Sequence, residues 1–343
     1  MMVPIVFLVI SIAAFFISGL PVEFLFNEIT LRLSRNLLLV MSLIIPVITG
    51  MGLNFGIVLG AMAGQVGLIV IMNYGLGGVW GVLAAVLIST PVAILLGYLV
   101  GLVLNRAKGK EMITSMILGF FANGVYQLIF IVMAGKIIPF SNPKMLMSTG
   151  EGLRNTLDLK IIRRSLDDLF FSEFTNIPVF TFILIALFFL GVYFFLKTKL
   201  GQEMRAVGQD MHIASISGIN VDRTRIISII MSTVLAAWGQ IVYLQNLGTL
   251  NTYVNHEQVG LFAVAALLIG GATVNKASWK EAILGTFLFH FLFVVSPTAG
   301  KNLMGNAQIG EYFRVFVAYG VIGLALLLHA WETQKSKTQL SDL

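Results

Sequence analysis

The stretch GQEMRAVGQDMHIASISGIN, residues 201–220, is polar and helix-competent, and it lies between two strongly apolar segments, Ile177–Leu196 and Ile226–Gln245. Each flank is close to the ~20 apolar residues that a helix needs to cross a ~30 Å hydrocarbon core. The stretch is longer than a plain membrane connector requires and far shorter than a separate domain. It reads as a surface on which a membrane-embedded chain meets a soluble partner.

The rest of the chain extends that reading. Of its 343 residues, 57% are hydrophobic and only 11% charged, too few charges to clothe a water-soluble globule of that size. Lipid accepts only helices and closed barrels, because every backbone polar group must be satisfied internally. Apolar runs of helical length therefore predict an all-α, polytopic transmembrane bundle, and the 34 glycines suit close helix packing. A net charge of +6 does not indicate nucleic acid, since no basic cluster is interleaved with aromatics. With no cysteine, the chain has no disulfide, thiol nucleophile or thiolate metal site.

Ten spans are expected: Val3–Leu20, Asn36–Thr49, Leu53–Met72, Val79–Leu104, Met112–Ala134, Ile177–Leu196, Ile226–Gln245, Val259–Thr273, Ala282–Ser296 and Tyr312–His329. The first lacks a charged leader and a small-x-small cleavage site, so it reads as an uncleaved span. More than half of the 22 basic residues fall on stretches that an inside N-terminus places in the cytoplasm: Asn105–Glu111, Lys197–Arg225, Asn275–Glu281 and the tail 330–343, which holds Lys335 and Lys337. This matches the positive-inside rule and puts both termini and the 201–220 island inside. The expectation is a single transmembrane domain over 1–343, with 135–176 as an outer connection. Within that connection, Leu153–Phe171 reads either as an amphipathic helix on the membrane surface or as an ordered cap on its own chain.

The chemistry-bearing residues point away from catalysis. His212, His256, His290 and His329 show no metal-ligand spacing, and neither a GxSxG elbow nor a GxxxxGK[ST] loop occurs. Almost no ionisable group lies inside the expected spans, apart from His290 and Arg314 near a span end, so ion coupling has no evident carrier. Neutral polarity is present instead. Gly50-Met51-Gly52-Leu53-Asn54-Phe55-Gly56 continues through Gly60, Gly64, Gln65 and Gly67. Such a run either breaks a helix and aims Asn54, Phe55 and Gln65 at a neutral solute, or packs helices tightly. Asn123 and Gln127, four apart on one helical face, and Gln240 are weaker candidates for the same path.

Drawn as a helix, the island carries Met204, Val207, Met211 and Ala214 along one side, with Ala206 and Ile213 roughly opposite. One apolar side suffices for the chain itself, so a second suggests a second protein. Gly208 and Gly218 are expected to break the segment into a short helix–turn–helix. Gly109-Lys110-Glu111-Met112 echoes Gly201-Gln202-Glu203-Met204, an echo too short to establish a repeat.

The island, followed by a basic stretch and an apolar span, resembles the cytoplasmic coupling segment of ABC importer permeases of the ribose, nucleoside and branched-chain amino acid type. GMGLNFGIVLGAMAGQ sits where those permeases carry a glycine-rich intramembrane segment, and Leu268–Thr273 matches their late Gly-Gly turn. The resemblance implies a multi-pass inner-membrane subunit that works with a second permease chain, an ABC ATPase and an extracytoplasmic solute-binding protein. ATP and magnesium would sit on the ATPase, and no cofactor on this chain. Coupling would run through Glu203, Met204, Arg205, Ala206, Val207, Gly208, Met211, Ile213 and Gly218. The neutral path favours a simple sugar or nucleoside. Branched-chain amino acids, or an ATP-independent transporter or channel, stay open as alternatives. The chain departs from sugar-type relatives at Asn54, where an aspartate is usual, and at Asn275–Trp279, where glycines are.

Overall fold

A computed structural model describes residues 2–169 and 177–341. Helices α1 (Met2–Ser18) and α2 (Val22–Ser42) come first, and α2 leads into the short α3 (Ile44–Ile48). Then follow α4 (Ile57–Tyr74), α5 (Gly78–Arg106) and α6 (Glu111–Gln127), which widens into a π-helical turn over Leu128–Met133. After strand β1 (Thr156–Asp158) the chain forms α7 (Val179–Phe195), α8 (Lys199–Gln209), α9 (Met211–Ile216) and α10 (Val221–Leu247). Strand β2 (Thr249–Asn251) precedes α11 (Asn255–Ile269), α12 (Trp279–Met304) and α13 (Ala307–Ser341).

Each of the ten apolar segments falls on a helix. Among the described residues six helices are long and apolar enough to cross a membrane, α2 and α3 counting as one, or up to seven if α7 and α8, bent by 74°, count as one span. α1 and α11 are apolar but shorter. The second span begins earlier than expected, at Val22 rather than Asn36, because Glu28 and Arg32 neutralise each other one turn apart, 3.3 Å between charged atoms. Helices α10 and α11 likewise start several residues early and take in Asp222, Arg223, Arg225, His256 and Glu257. The helices therefore carry more ionisable groups than the apolar runs alone.

Two compact units result, 1–33 with 261–343, and 34–260. In the first, α12 packs on α1 and α13. Leu25, Ile29, Phe291 and Val295 form a core there, and Asn302 Nδ2 donates to the carbonyls of Ile17 (2.9 Å) and Ser18 (3.0 Å) at the end of α1. Arg314 is held by Glu311, by the Phe293 carbonyl at 3.1 Å and by the Phe293 ring.

In the second unit α4, α5 and α10 form the core, and the glycine run explains how they meet. A Cβ added at Gly64 would lie 2.5 Å from the Ala237 carbonyl of α10, and one at Gly67 2.5 Å from the Ala85 carbonyl of α5. Gly97 faces α10 in the same way, 2.9 Å from Ile230 Cα. Most of the glycine run is thus a packing surface. Before it, residues 49–56 leave the helix, with Gly50 and Gly52 at φ +75° and +69°. The expected broken helix is there.

The connection over 135–169 is an ordered cap and not a surface helix. Leu153–Leu169 holds turns and β1, which pairs antiparallel with β2 in the register Leu157–Leu250. Most of its apolar residues turn inward, Leu153, Leu159 and Ile162 being fully buried, while Ile161 and Leu169 stay exposed. Asp167, also buried, accepts from Thr181 Oγ1 (2.6 Å), Gln245 Nε2 (3.2 Å) and Asn246 Nδ2 (2.5 Å). Tyr253 donates to the Leu153 carbonyl at 2.7 Å, and burial raises its phenol pKa, keeping it a neutral donor. Residues 170–176, the end of that connection, and the side chains of Lys335 and Lys337 lie outside the described residues.

Candidate functional site

Three of the six path candidates come together in the second unit. Gln65 on α4 is fully buried, and its Oε1 sits 2.9 Å from Tyr126 Oη on α6 and 3.0 Å from His256 Nδ1 on α11. His256 Nε2 is 2.8 Å from Asn123 Oδ1; Asn123 Nδ2 in turn donates to the Glu257 carboxylate, and Gln127 Nε2 donates to Asn123 Oδ1 at 3.4 Å. The result is one row of polar groups running from the buried Gln65 to the exposed Glu257. Gln65 Nε2 is buried with no hydrogen-bond partner. Turning that amide over exchanges an orphaned donor for an orphaned acceptor, so one face of Gln65 stays unsatisfied in either setting.

The other three candidates lie elsewhere. Asn54 is a turn residue rather than a pore-facing amide: its Oδ1 accepts from Gly56 N at 2.9 Å and its Nδ2 donates to Ser232 Oγ at 3.4 Å. Phe55 is buried, and its backbone N–H is held by Ser115 Oγ at 3.2 Å. Gln240 is buried on the α4–α10 seam opposite Gly64, with both amide atoms unpartnered.

The row also contains residues that motif reading passed over. Tyr126 lies between Asn123 and Gln127, and its ring is 4.8 Å from the His256 ring, centre to centre. Glu257 and His256 sit in Asn255-His256-Glu257-Gln258, a polar tetrad just ahead of the expected span Val259–Thr273.

The island is two helices joined at Asp210, not at Gly208. Asp210 has an extended backbone, and its carboxylate caps α9 by accepting from His212 N (2.7 Å) and Ile213 N (2.9 Å). Gly208 is inside α8 and touches the turn after α3: a Cβ on Gly50 would lie 2.9 Å from Gly208 Cα, and one on Gly208 would strike the Ile48 carbonyl. Gly218 ends α9 at φ +83°.

Of the predicted apolar sides, Met204, Val207 and Ala214 are buried against the chain itself. Ala206 is half-buried, Arg205 exposed, and Glu203 faces Lys199 at 3.9 Å. The side left open carries Met211, Ile213 and Ile216, the last two 62% and 74% exposed. Ile216 was not singled out by spacing. Below this surface lies Arg225, fully buried and paired with Glu111.

A polytopic helical chain with a row of polar groups running inward from a carboxylate to a buried amide, and an apolar surface between two apolar helices, has the build of a membrane transport subunit. Comparison with known proteins assigns it: residues 25–327 match the family described as branched-chain amino acid transport system / permease component, and the chain belongs to that family. Relatives include the probable ABC transporter permease protein YphD of Escherichia coli strain K12, 30% identical over 56% of this chain and 55% of its own length. Another is the xylose transport system permease protein XylH of Haemophilus influenzae, 27% identical over 49% and 42%. The nucleoside ABC transporter permease protein NupC of Lactococcus lactis is 29% identical over 47% and 48%. The chain thus matches about half the length of these curated relatives. No solved structure matches it.

Proposed function

We propose that the chain is the permease subunit of an ATP-driven importer for a small neutral polar solute, a simple sugar or nucleoside. Two such chains, identical or paralogous, would work with two ABC ATPase subunits and an extracytoplasmic solute-binding protein in the cytoplasmic membrane. All ten apolar segments would cross, with both termini inside. The observation that carries this reading is the exposed Met211–Ile213–Ile216 surface between α7 and α10. It is apolar, yet positive-inside counting puts it in the cytoplasm, where exposed isoleucines need a protein partner. Relatives named for xylose and nucleoside transport support the substrate class.

In this reading Met204, Val207 and Gly208 dock the island on its own chain, while Met211, Ile213 and Ile216 meet the ATPase. Glu203 and Arg205 would add rim contacts worth ~0–1 kcal/mol each. Closure of the ATPase pair on ATP would push the island against α3 and α10 and re-aim the helices. The test is purification of the tagged chain from its own host, followed by ATP-dependent uptake of labelled D-xylose, D-ribose and uridine in reconstituted vesicles with the binding protein. Uptake that persists without ATP, or a preparation in which no ATPase accompanies the chain, overturns the reading.

A further inference from the structure

We infer that the row Gln65–His256–Asn123–Glu257 is a binding site for an uncharged, polyhydroxylated solute, an assignment that rests on the chain being a permease subunit. Position is the first argument. Asn123 is about 18 Å along α6 from Glu111 at 1.5 Å per residue, well inside a ~30 Å core. There Asn123 and Gln127 are half-buried and Glu257 exposed, beside the exposed Phe120, Phe121 and Leu128. A carboxylate and two amides facing lipid at that depth are costly, so this face borders a wet path.

Unsatisfied capacity is the second argument. Gln65 Nε2 is fully buried, and covalent geometry fixes it beside the oxygen that meets Tyr126 and His256. A buried amide without a partner is destabilising unless something else bonds to it, and a hydroxyl does so in either amide setting.

Charge and shape set the class. None of the ion pairs among the described residues involves Glu257, so its second carboxylate oxygen remains open to donors. Vicinal hydroxyls donate to such an oxygen; the ammonium of an amino acid would also be drawn to it, but the row holds no lysine or arginine to receive the carboxylate of an amino acid or a phosphate. Behind the row the buried Tyr126 and Phe130 rings, 4.6 Å apart, form an apolar wall. The site therefore selects against branched-chain amino acids.

The absence of native cysteine allows a direct test. Gln127→Cys, at the rim and bonded only weakly, is purified with whatever ATPase accompanies it and labelled with a membrane-impermeant methanethiosulfonate. Labelling should be slowed at least fivefold by one of D-xylose, D-ribose or uridine and not by L-leucine, and adding Gln65→Leu should abolish the protection. Leu128→Cys, exposed beside the row and outside it, replaces Gln127→Cys if the latter fails to fold. No labelling, no protection by any hydroxylated probe, equal protection by leucine, or protection surviving Gln65→Leu each overturns the site. Such a result with the ATPase still bound leaves the permease reading intact. Protection without any ATPase keeps the site and sinks the ATP-driven reading.

Discussion

Arg225 Nη2 lies 2.6 Å from Glu111 Oε1, joining the start of α10 to the start of α6 in a pair that is almost wholly buried. The same guanidinium donates to Asn105 Oδ1 at 2.9 Å and reaches Met211 Sδ of the island at 3.1 Å. One side chain therefore ties together the last turn of α5, the head of α6 and the proposed ATPase-facing surface. Lys108 and Asp222, 2.6 Å apart, brace the same junction from outside.

Removing one partner of such a pair leaves a buried charge uncompensated, which costs ~3–5 kcal/mol, whereas replacing both by apolar groups is often neutral. Arg225→Met should thus lower the melting temperature of the purified chain sharply. The double variant Arg225→Met/Glu111→Leu should recover most of the loss. Melting curves in detergent decide it, and a single variant as stable as the native chain would contradict the assignment of this pair as a structural joint.

The two sides of the island should respond differently. Ile213→Asp and Ile216→Asp place a charge on an already exposed surface, so the isolated chain should melt normally yet lose its ATPase. A charge buried in an apolar contact costs several kcal/mol, enough to dissociate a weak complex. Val207→Asp puts the same charge inside the chain and should reduce the folded yield itself. Pull-down of the ATPase with tagged variants reads this out, and full retention by Ile213→Asp and Ile216→Asp would place the contact elsewhere.

This division also marks what was legible in the sequence. Alternating apolar stripes in 201–220 showed that two surfaces exist, but not which is taken by the chain's own α3 turn. That depends on Gly208 meeting Gly50, a contact between segments more than a hundred residues apart. Likewise Asn123 and Gln127 were visible as one helical face, while His256, 133 positions further on, was not. Hydropathy found apolar segments that fall on helices because helix burial and membrane spanning ask for the same residues. It failed at their ends, where Glu28–Arg32 and Glu111–Arg225 hide charge by pairing it, and it left Leu153–Leu169 open, because spaced leucines fit a cap as well as a helix.

The glycine run offers a cleaner packing test than any polar residue. Gly64→Ala adds one methyl group against the Ala237 carbonyl of α10, and overpacking of this kind typically costs ~1–3 kcal/mol. Gly75→Ala makes a useful contrast: nothing lies within 4 Å of its Cβ, and only the strain of φ +68° opposes it. The seam variant should melt lower and, having no way to shed its clash locally, should also lose folded yield when enlarged to Gly64→Leu. If Gly64→Leu is produced and melts like the native chain, α4 and α10 do not meet here.

Asp167 supports the cap over 135–169 in a comparable way. Its carboxylate receives Thr181, Gln245 and Asn246, so Asp167→Leu strands three buried donors at ~1–3 kcal/mol for each left unsatisfied. Asp167→Asn keeps one acceptor oxygen and should fall between the two. Because Gln245 and Asn246 belong to the last turn of α10, and Arg164 N also bonds the Gln245 carbonyl at 2.9 Å, loss of this anchor should free the cap while α4, α5 and α10 stay packed. Limited proteolysis of purified protein should then cut within 135–169 in Asp167→Leu at a protease level that spares the native chain, with the helical circular dichroism largely unchanged. Cleavage spread evenly over the helices would mean that Asp167 holds the whole unit rather than its cap.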